Sequence, residues 1–412
     1  MDSALTDAAR VAMDAAGGAD LLVGIPSYNN ATTIGYVVET AAAGLAQHFP
    51  GRRAVVFNSD GGSSDGTPAT VERARVPDGV RVFTFPYLGL PGKGSAFHAI
   101  FEAATRLGVR ACVVLDSDLR SVTPEWVARL AGAIVQGEAD YVTPLYTRHK
   151  YDGTITNNLA YPLTRALYGV RVRQPIGGDF GIGADVLRTY LAEEVWETDV
   201  ARFGIDVWMT TTALANGYRV QQAVLGTKVH DPKDPAASLG PMFVQVVGTL
   251  FGLMARYRER WWNVRGSQPA PVRGAAVPGE PEPVAVSREA LVERFRAGLA
   301  AHGAYWQRVL APETYATVSA LASQPDARFT FPPEPWVRAV YDFAVAYCLG
   351  GDSPAAILDA LTPLYFGRTA GLVLDTAAMD ADAFEGYLET QAEVFERDKP
   401  YLLDRWQAAA GG

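Results

Sequence analysis

Cysteine is almost missing from this chain: of its 412 residues only Cys112 and Cys348 are cysteines, one in an apolar β-rich run and one in an apolar helical run. That scarcity excludes a disulfide framework and a cysteine-based zinc site, and a reducing cytoplasm is the expected setting. An excess of positive charge is missing too. Lys and Arg number 36 against 45 Asp and Glu, a net charge of -9, which excludes a broad cationic surface for nucleic acid and leaves local basic pockets for phosphate. Long apolar runs are absent. The most membrane-like stretch, 239–254, is broken by Gln245 and Thr249. It falls short of the roughly 20 apolar residues of a spanning helix, so a buried or interfacial helix is expected and no membrane span. Residues 1–19 are rich in alanine and carry acids, without the basic start and apolar core of a signal peptide.

What is present suits a folded enzyme-sized chain, with 49% hydrophobic and 20% charged residues. Its length implies one large domain and a smaller appendage. Extended runs at 21–25, 54–58, 80–85, 111–115 and 141–143 alternate with helical stretches at 32–47 and 95–107. Such alternation predicts an α/β domain with a mainly parallel, Rossmann-like sheet flanked by helices. Thr123-Pro124-Glu125 reads as a helix start, with a capping oxygen and a first-turn proline. The stretch 266–286 is rich in Pro, Gly and Ala, lacks a period and reads as a linker. Beyond it, 287–310, 336–349, 353–364 and 383–407 read as helices, with Ser353-Pro354 repeating the capping pattern. The expected division is an extension at 1–19, the α/β domain at 20–265, the linker, and a helical C-terminal domain at 287–412. The apolar stripe of Leu291, Phe295, Trp336, Val340 and Phe343 needs burial against the first domain or another subunit, so a homodimer is among the expected assemblies.

In an open α/β sheet the loops at strand C-termini form the ligand crevice. The first strand runs into Pro26-Ser27-Tyr28-Asn29-Asn30, and the second into the polar, glycine-rich turn at 58–67, where Asp60 can accept hydrogen bonds from a base or ribose. Leu90-Pro91-Gly92-Lys93-Gly94-Ser95 precedes a helix, so a helix N-terminus and a lysine together favour phosphate. It is not a P-loop, because Gly94 stands where the hydroxyl residue would be. The nearly all-apolar run 111–115 delivers Asp116-Ser117-Asp118, a carboxylate pair suited to a hard cation on diphosphate oxygens. Gly177-Gly178-Asp179 lets backbone pass close to a ligand, and His230, after Lys228 and Val229, can join oxygen ligands on a divalent metal. Taken singly, each has an ordinary structural explanation.

Taken in order, GIPSYNN, NSDGGSSDGT, LPGKG, DSD, QPIGGDF, FGID and the late Val-His resemble the GT-A glycosyltransferases related to family 2. The closest likeness is to the retaining enzymes that make glucosyl-3-phosphoglycerate, glucosylglycerate and mannosylglycerate, in compatible-solute synthesis, over residues 20–235. The resemblance implies that Pro26, Ser27, Tyr28 and Asp60 bind the nucleoside and that Lys93 contacts the donor phosphates. Asp116 would hold the ribose or assist the metal, with Ser117 beside it in the donor site; Asp118 and His230 would ligate Mg²⁺ or Mn²⁺. Gly177, Gly178 and Asp179 would line the transferred sugar, and Asp206 would lie near the reacting centre, so Asp179, Asp206 and Lys93 are the expected catalytic residues. The implied donors are UDP-glucose, GDP-glucose or GDP-mannose, and the implied acceptors D-glycerate or 3-phosphoglycerate. Retention is inherited from the resemblance; a general base behind the sugar, at Asp179 or Asp206, would give inversion instead.

There are departures from the pattern. An extra glycine follows Asp60, and Asp179 stands where Glu is more frequent. Phosphoglycerate-using members carry Gly-Arg-x-Thr where this chain has Gly153-Thr154-Ile155-Thr156-Asn157, and Asp231-Pro232-Lys233 follow His230 in place of basic and amide residues. Thr154, Thr156 and Asn157 are the expected acceptor contacts, with unphosphorylated D-glycerate favoured, unless Arg148, His149 or Lys150 supplies the missing cation. A nucleotidyltransferase and a non-enzymatic scaffold are the competing classes.

Overall fold

The computed structural model describes residues 3–230, 235–275 and 279–411, which form two compact units. The first unit comprises 1–148, 172–231 and 270–282. Its strands are β1 (Leu21–Ser27), β2 (Ala54–Asp60), β3 (Val80–Pro86), β4 (Ala111–Val114), β5 (Tyr141–Thr147), β6 (Phe180–Gly183), β7 (Val220–Thr227) and β8 (Val272–Arg273). They make one eight-stranded sheet in the order β8-β7-β5-β6-β4-β1-β2-β3. Only β6 runs against its neighbours, antiparallel to both β4 and β5. The predicted α/β class, a mainly parallel sheet flanked by helices, is the one observed.

The sequence pattern explains the layering. Leu21, Val23 and Ile25 of β1, Val56 of β2 and Val113 of β4 point to one face. There they join Val37, Val38, Ala41 and Leu45 of the helix Ile34–His48 and Trp126, Val127 and Leu130 of Pro124–Val135 in one apolar cluster. On the opposite face Gly24 lies against Ile100 of the helix Lys93–Leu107, where a Cβ would come within 2.2 Å of Ile100 Cγ2. The helix can sit this low on the sheet because position 24 has no side chain. Thr123 holds the expected N-cap position in extended conformation, but its hydroxyl is turned to the Glu125 carboxylate rather than to the helix backbone.

β6 reads Phe-Gly-Ile-Gly, in which two glycines offset the strand preference of Phe and Ile. It is made by pairing on both sides, which is why periodicity does not reveal it. The stretch read as a linker contains two short pairings: Val272–Arg273 extends the sheet beside β7, and Gln268–Pro269 pairs with Val170–Arg171 in the second unit. Residues 276–278 of that stretch lie outside the described residues. Prolines 269 and 271 are compatible with these positions because they lie at sheet edges, where a missing N–H costs little.

The second unit comprises 149–171, 232–269 and 283–412. Its long helices are Pro235–Arg256, Arg288–Val309, Pro333–Leu349, Pro354–Asp375 and Ala381–Arg397, with Lys399–Ala410 at the end. Ser353 caps as expected, accepting from Ala356 N at 3.3 Å. The segment expected as one helix from 383 to 407 is two, interrupted at Asp398 ahead of Lys399-Pro400. Leu291, Phe295, Trp336, Val340 and Phe343 are all fully buried. Phe295 packs on Trp306 and Phe329 of its own unit, and the Trp336 indole donates to Asn158 O at 2.7 Å. The stripe is thus covered inside the helical unit itself, where cover by the first domain or by another subunit was expected. The 239–254 run lies within Pro235–Arg256, and no helix among the described residues is long and apolar enough to cross a membrane.

Candidate active site

Three strand exits are tied to one another. The β1–β2 register sets Ser27 beside Asp60, and Ser27 Oγ donates to Asp60 Oδ1 at 2.9 Å. Asn58, buried at the end of β2, donates to Ile25 O and Ser27 Oγ. Asp60 also accepts from Gly62 N, Ser63 N and Ser63 Oγ at 2.7–2.9 Å. Its carboxylate is therefore engaged in shaping the turn. Asn30 Oδ1 accepts from Tyr28 N at 3.0 Å and from Ser117 Oγ at 2.8 Å, which ties the β4 exit to the β1 exit. Tyr28 alone of this group presents a large surface, its residue 65% exposed, as a face for a flat ring must be.

Deeper in the crevice, carboxylates and ammonium groups alternate. Lys93 opens the helix Lys93–Leu107, and its Nζ lies 2.8 Å from Asp116 Oδ1 and 3.3 Å from Asp206 Oδ1. Lys228, just past β7, reaches Asp116 Oδ2 and Asp179 Oδ2, each at 2.8 Å, and donates to Gly177 O at 2.9 Å. Asp179 accepts in addition from Asp116 N at 2.8 Å and from the Tyr146 hydroxyl. The order is Asp206, Lys93, Asp116, Lys228, Asp179, Tyr146. Every charged member is mostly buried, with side-chain exposures from 0% at Asp179 to 21% at Asp116.

Burial of that depth is tolerated only because the charges are paired. Burial opposes the Asp116 carboxylate, but Lys228 and Lys93 outweigh it and hold the group far below the usual carboxylate range. Burial likewise opposes the Lys93 ammonium, and Asp116 and Asp206 more than compensate, keeping it protonated. Asp206 and Asp179 are pushed up by burial, against the pull of Lys93 and Lys228 respectively. Asp118, two residues beyond Asp116, is pushed up by burial and by the charge of Asp116, with Lys228 and His230 pulling the other way.

The glycines have steric reasons. Gly178 has φ +87°, and a Cβ there would fall 2.0 Å from Asp116 Oδ2. Gly94 follows Lys93 because a Cβ at that position would lie 1.8 Å from Val200 O. Close packing of the helix start therefore explains why this loop is glycine-rich without being a P-loop.

Pro26, Ser27, Tyr28, Asp60, Lys93, Asp116, Ser117, Asp118, Gly177, Gly178, Asp179, Asp206 and His230 all fall in the first unit. Asp116 is placed as an ion-pair partner rather than an open ligand, since each of its oxygens holds an ammonium group. Asp231 to Lys233 lie outside the described residues, and among the described residues no group of three or more His, Cys, Asp or Glu is set to hold a metal. Thr154, Thr156 and Asn157 belong to the second unit and are buried. Thr154 is fully buried and shares a 2.7 Å hydrogen bond with the Tyr365 hydroxyl, and Asn157 O accepts from Gln391 Nε2 at 2.7 Å. Thr154 thus has no surface to offer an acceptor. Thr154→Arg is accordingly expected to destabilise the helical unit by about 3 kcal/mol or more, by overpacking and charge burial. Thermal unfolding checks this; unchanged stability with a new taste for phosphorylated acceptors would contradict it.

Of the three basic candidates nearby, Lys150 caps the helix Pro354–Asp375, donating to Thr376 O, Ala377 O and Met379 O at 2.7–3.0 Å. The Arg148 guanidinium stands 5.2 Å from the Tyr146 ring centroid and donates to Gly177 O at 3.4 Å, within the first unit. Sequence reasoning passed over Lys228 and Tyr146. Lys228 carried a signal: a lysine closing a buried strand must find a carboxylate.

Residues 22–193 match the family model described as Glycosyl transferase family 2. That span takes in most of the sheet and the crevice residues from Pro26 to Asp179, so this part of the chain is similar to the family 2 glycosyltransferases. Similar solved structures include the glucosyl-3-phosphoglycerate synthase of Mycobacterium tuberculosis in complex with Mg²⁺ and uridine diphosphate, at 25% identity, covering 59% of this chain and 83% of that one, with a TM-score of 0.44. The same enzyme with Mn²⁺, uridine diphosphate and glucosyl-3-phosphoglycerate is also similar, at 25% identity over 61% of this chain and 85% of that one, TM-score 0.44. No curated protein matches at significance.

Proposed function

We propose that this protein moves a hexosyl group, glucose or mannose, from a nucleoside-diphosphate sugar to D-glycerate or a similar small hydroxy acid, with retention. The observation that carries the proposal is the buried array of Asp206, Lys93, Asp116, Lys228 and Asp179 at the strand exits of a domain similar to the family 2 glycosyltransferases. An array with a protonated lysine at a helix start is poised for a dianionic diphosphate. Lys93 can turn from its carboxylates to the donor phosphates, and Tyr28 offers its ring to the base. Asp206, relieved of Lys93, is then placed to accept from a sugar hydroxyl. Asp179 is fully buried and already receives from Asp116 N, Lys228 and Tyr146. A carboxylate so committed is poorly suited to act as a general base, which supports retention with the departing phosphate taking the acceptor proton.

The donor set fits a divalent cation, Mg²⁺ or Mn²⁺. Asp118 is a half-buried carboxylate held above its usual range with His230 beside it, and a cation there would offset what burial and Asp116 impose. Asp118 and His230 would hold the ion, which would neutralise charge on the leaving group. The working site is inferred to be the cytoplasm.

A second reading, with 3-phosphoglycerate as acceptor, is favoured by one observation: the Arg148 guanidinium lies at Gly177, beside the place inferred for the sugar. The test offers UDP-glucose, GDP-glucose and GDP-mannose, each with D-glycerate and 3-phosphoglycerate, and compares kcat/KM. A hexosyl glycerate is the expected product. A tenfold preference for 3-phosphoglycerate, about 1.4 kcal/mol in transition-state binding, would favour the second reading, and no hexosyl product from any pair would overturn both.

A further inference from the structure

The loop that launches Lys93 is fastened from both sides. On one side Gly94 N donates to Arg202 O at 3.2 Å. On the other stands a segment with no part in the family motifs, residues 3–5. Leu88 N donates to Ala4 O at 2.8 Å, and Leu5 forms an isolated antiparallel bridge with Tyr87. The Tyr87 hydroxyl in turn accepts from Gly92 N at 3.0 Å, one residue before Lys93. The segment itself is held by Arg10, whose Nη1 donates to Leu5 O at 2.8 Å, and by one side chain on the Lys93 helix. Glu102 Oε2 accepts from Ser3 Oγ at 2.6 Å and Oε1 from Ala4 N at 3.0 Å. His98 Nε2, one turn earlier on the same helix, lies 3.1 Å from Glu102 Oε1, with its ring stacked on Trp196 at 4.1 Å between centroids.

We propose that residues 3–5 are a strut that sets the position of the 87–93 loop, and that Glu102 is a positioning residue acting through this strut on the Lys93 ammonium. Tying a loop to the body of the very helix it starts makes the loop and helix one rigid piece, so that the lysine is held at the diphosphate position before the donor arrives. Glu102 touches no substrate in this scheme. A solvated carboxylate on a helix would have no reason to be half-buried and to hold Ser3, Ala4 and His98 together. The functional consequence rests on the reading of Lys93 as the donor-phosphate contact, whereas the strut itself can be read without any turnover.

The test uses the full chain with Glu102→Ala and Ser3→Ala, the latter leaving the pair with His98 in place and serving if the former does not fold. Amide hydrogen exchange at Leu88 and Gly92 is expected to rise at least tenfold in Glu102→Ala and less in Ser3→Ala. KM for the sugar-nucleotide donor is expected to rise five- to twentyfold, with kcat and the acceptor KM within about twofold of wild type. Unchanged exchange at both amides would overturn the strut. Faster exchange with unchanged donor KM would overturn the positioning role, as would kcat and thermal stability falling together with no change in KM. A wild type inactive with every donor would count against the glycosyltransfer reading instead, and the exchange result would still decide the strut.

Discussion

Lys228→Met is expected to be the most damaging conservative-volume change in the sheet unit, lowering its stability by about 3–5 kcal/mol, the cost of removing one partner from a buried ion pair. Lys228 is the ammonium partner of Asp179 and one of two that hold Asp116, and its own side chain is 3% exposed. Methionine fills the volume, so the loss reports charge and not packing. Asp179 would keep Tyr146 and Asp116 N as donors, which sets the cost below that of a bare buried carboxylate. Calorimetry should show unfolding moving to lower temperature. Turnover should fall at least a hundredfold even at temperatures where the variant is folded, because Asp116 and Gly177 are no longer held in register. A variant with wild-type stability would mean that the array is not the structural keystone described.

The second large effect concerns Asp118 and His230. Asp118→Asn and His230→Ala are each expected to lose about 10² to 10³ in kcat, roughly 3–4 kcal/mol of transition-state stabilisation, and excess chelator should silence the wild type. Stability should respond oppositely. Burial and the neighbouring Asp116 charge both disfavour ionised Asp118, so its neutral isostere should unfold at the same temperature or higher, the signature of a group kept for function. Full activity of either variant, or of wild type in EDTA, would remove the metal assignment.

Much of the crevice is legible in the sequence because its parts follow strands. Each of Ser27, Asp60 and Asp116 comes at or just after the C-terminal end of an apolar run, and a parallel sheet brings such ends together whatever the intervening loops do. The pairing inside the crevice is less legible. Lys228 and Asp179 are far apart in sequence, and only the insertion of β6 between β4 and β5 sets the segment leading into it beside the end of β4. β6 has four residues, two of them glycine, so no periodicity announces it. The surroundings of the segment 153–157 are hard to read for a related reason. Thr154 stands where the resemblance places an acceptor contact, but Tyr365 of the same helical unit, 211 residues on, engages its hydroxyl in a fully buried site. The helical unit's stripe was read correctly as apolar and needing cover, while the cover came from Trp306, Phe329 and Phe331, aromatic residues of the same unit.

The central claim is that the Lys93 and Asp116 array activates a nucleoside diphosphate as leaving group. It is tested most directly by the identity of what leaves. Wild-type protein with Mn²⁺, D-glycerate and each of UDP-glucose, GDP-glucose and GDP-mannose would be followed by phosphorus NMR, alongside Lys93→Ala. The account predicts nucleoside diphosphate released in equal amount with a hexosyl glycoside, from the preferred donor and not in Lys93→Ala. Release of pyrophosphate or nucleoside monophosphate, or equal release from Lys93→Ala, would contradict it.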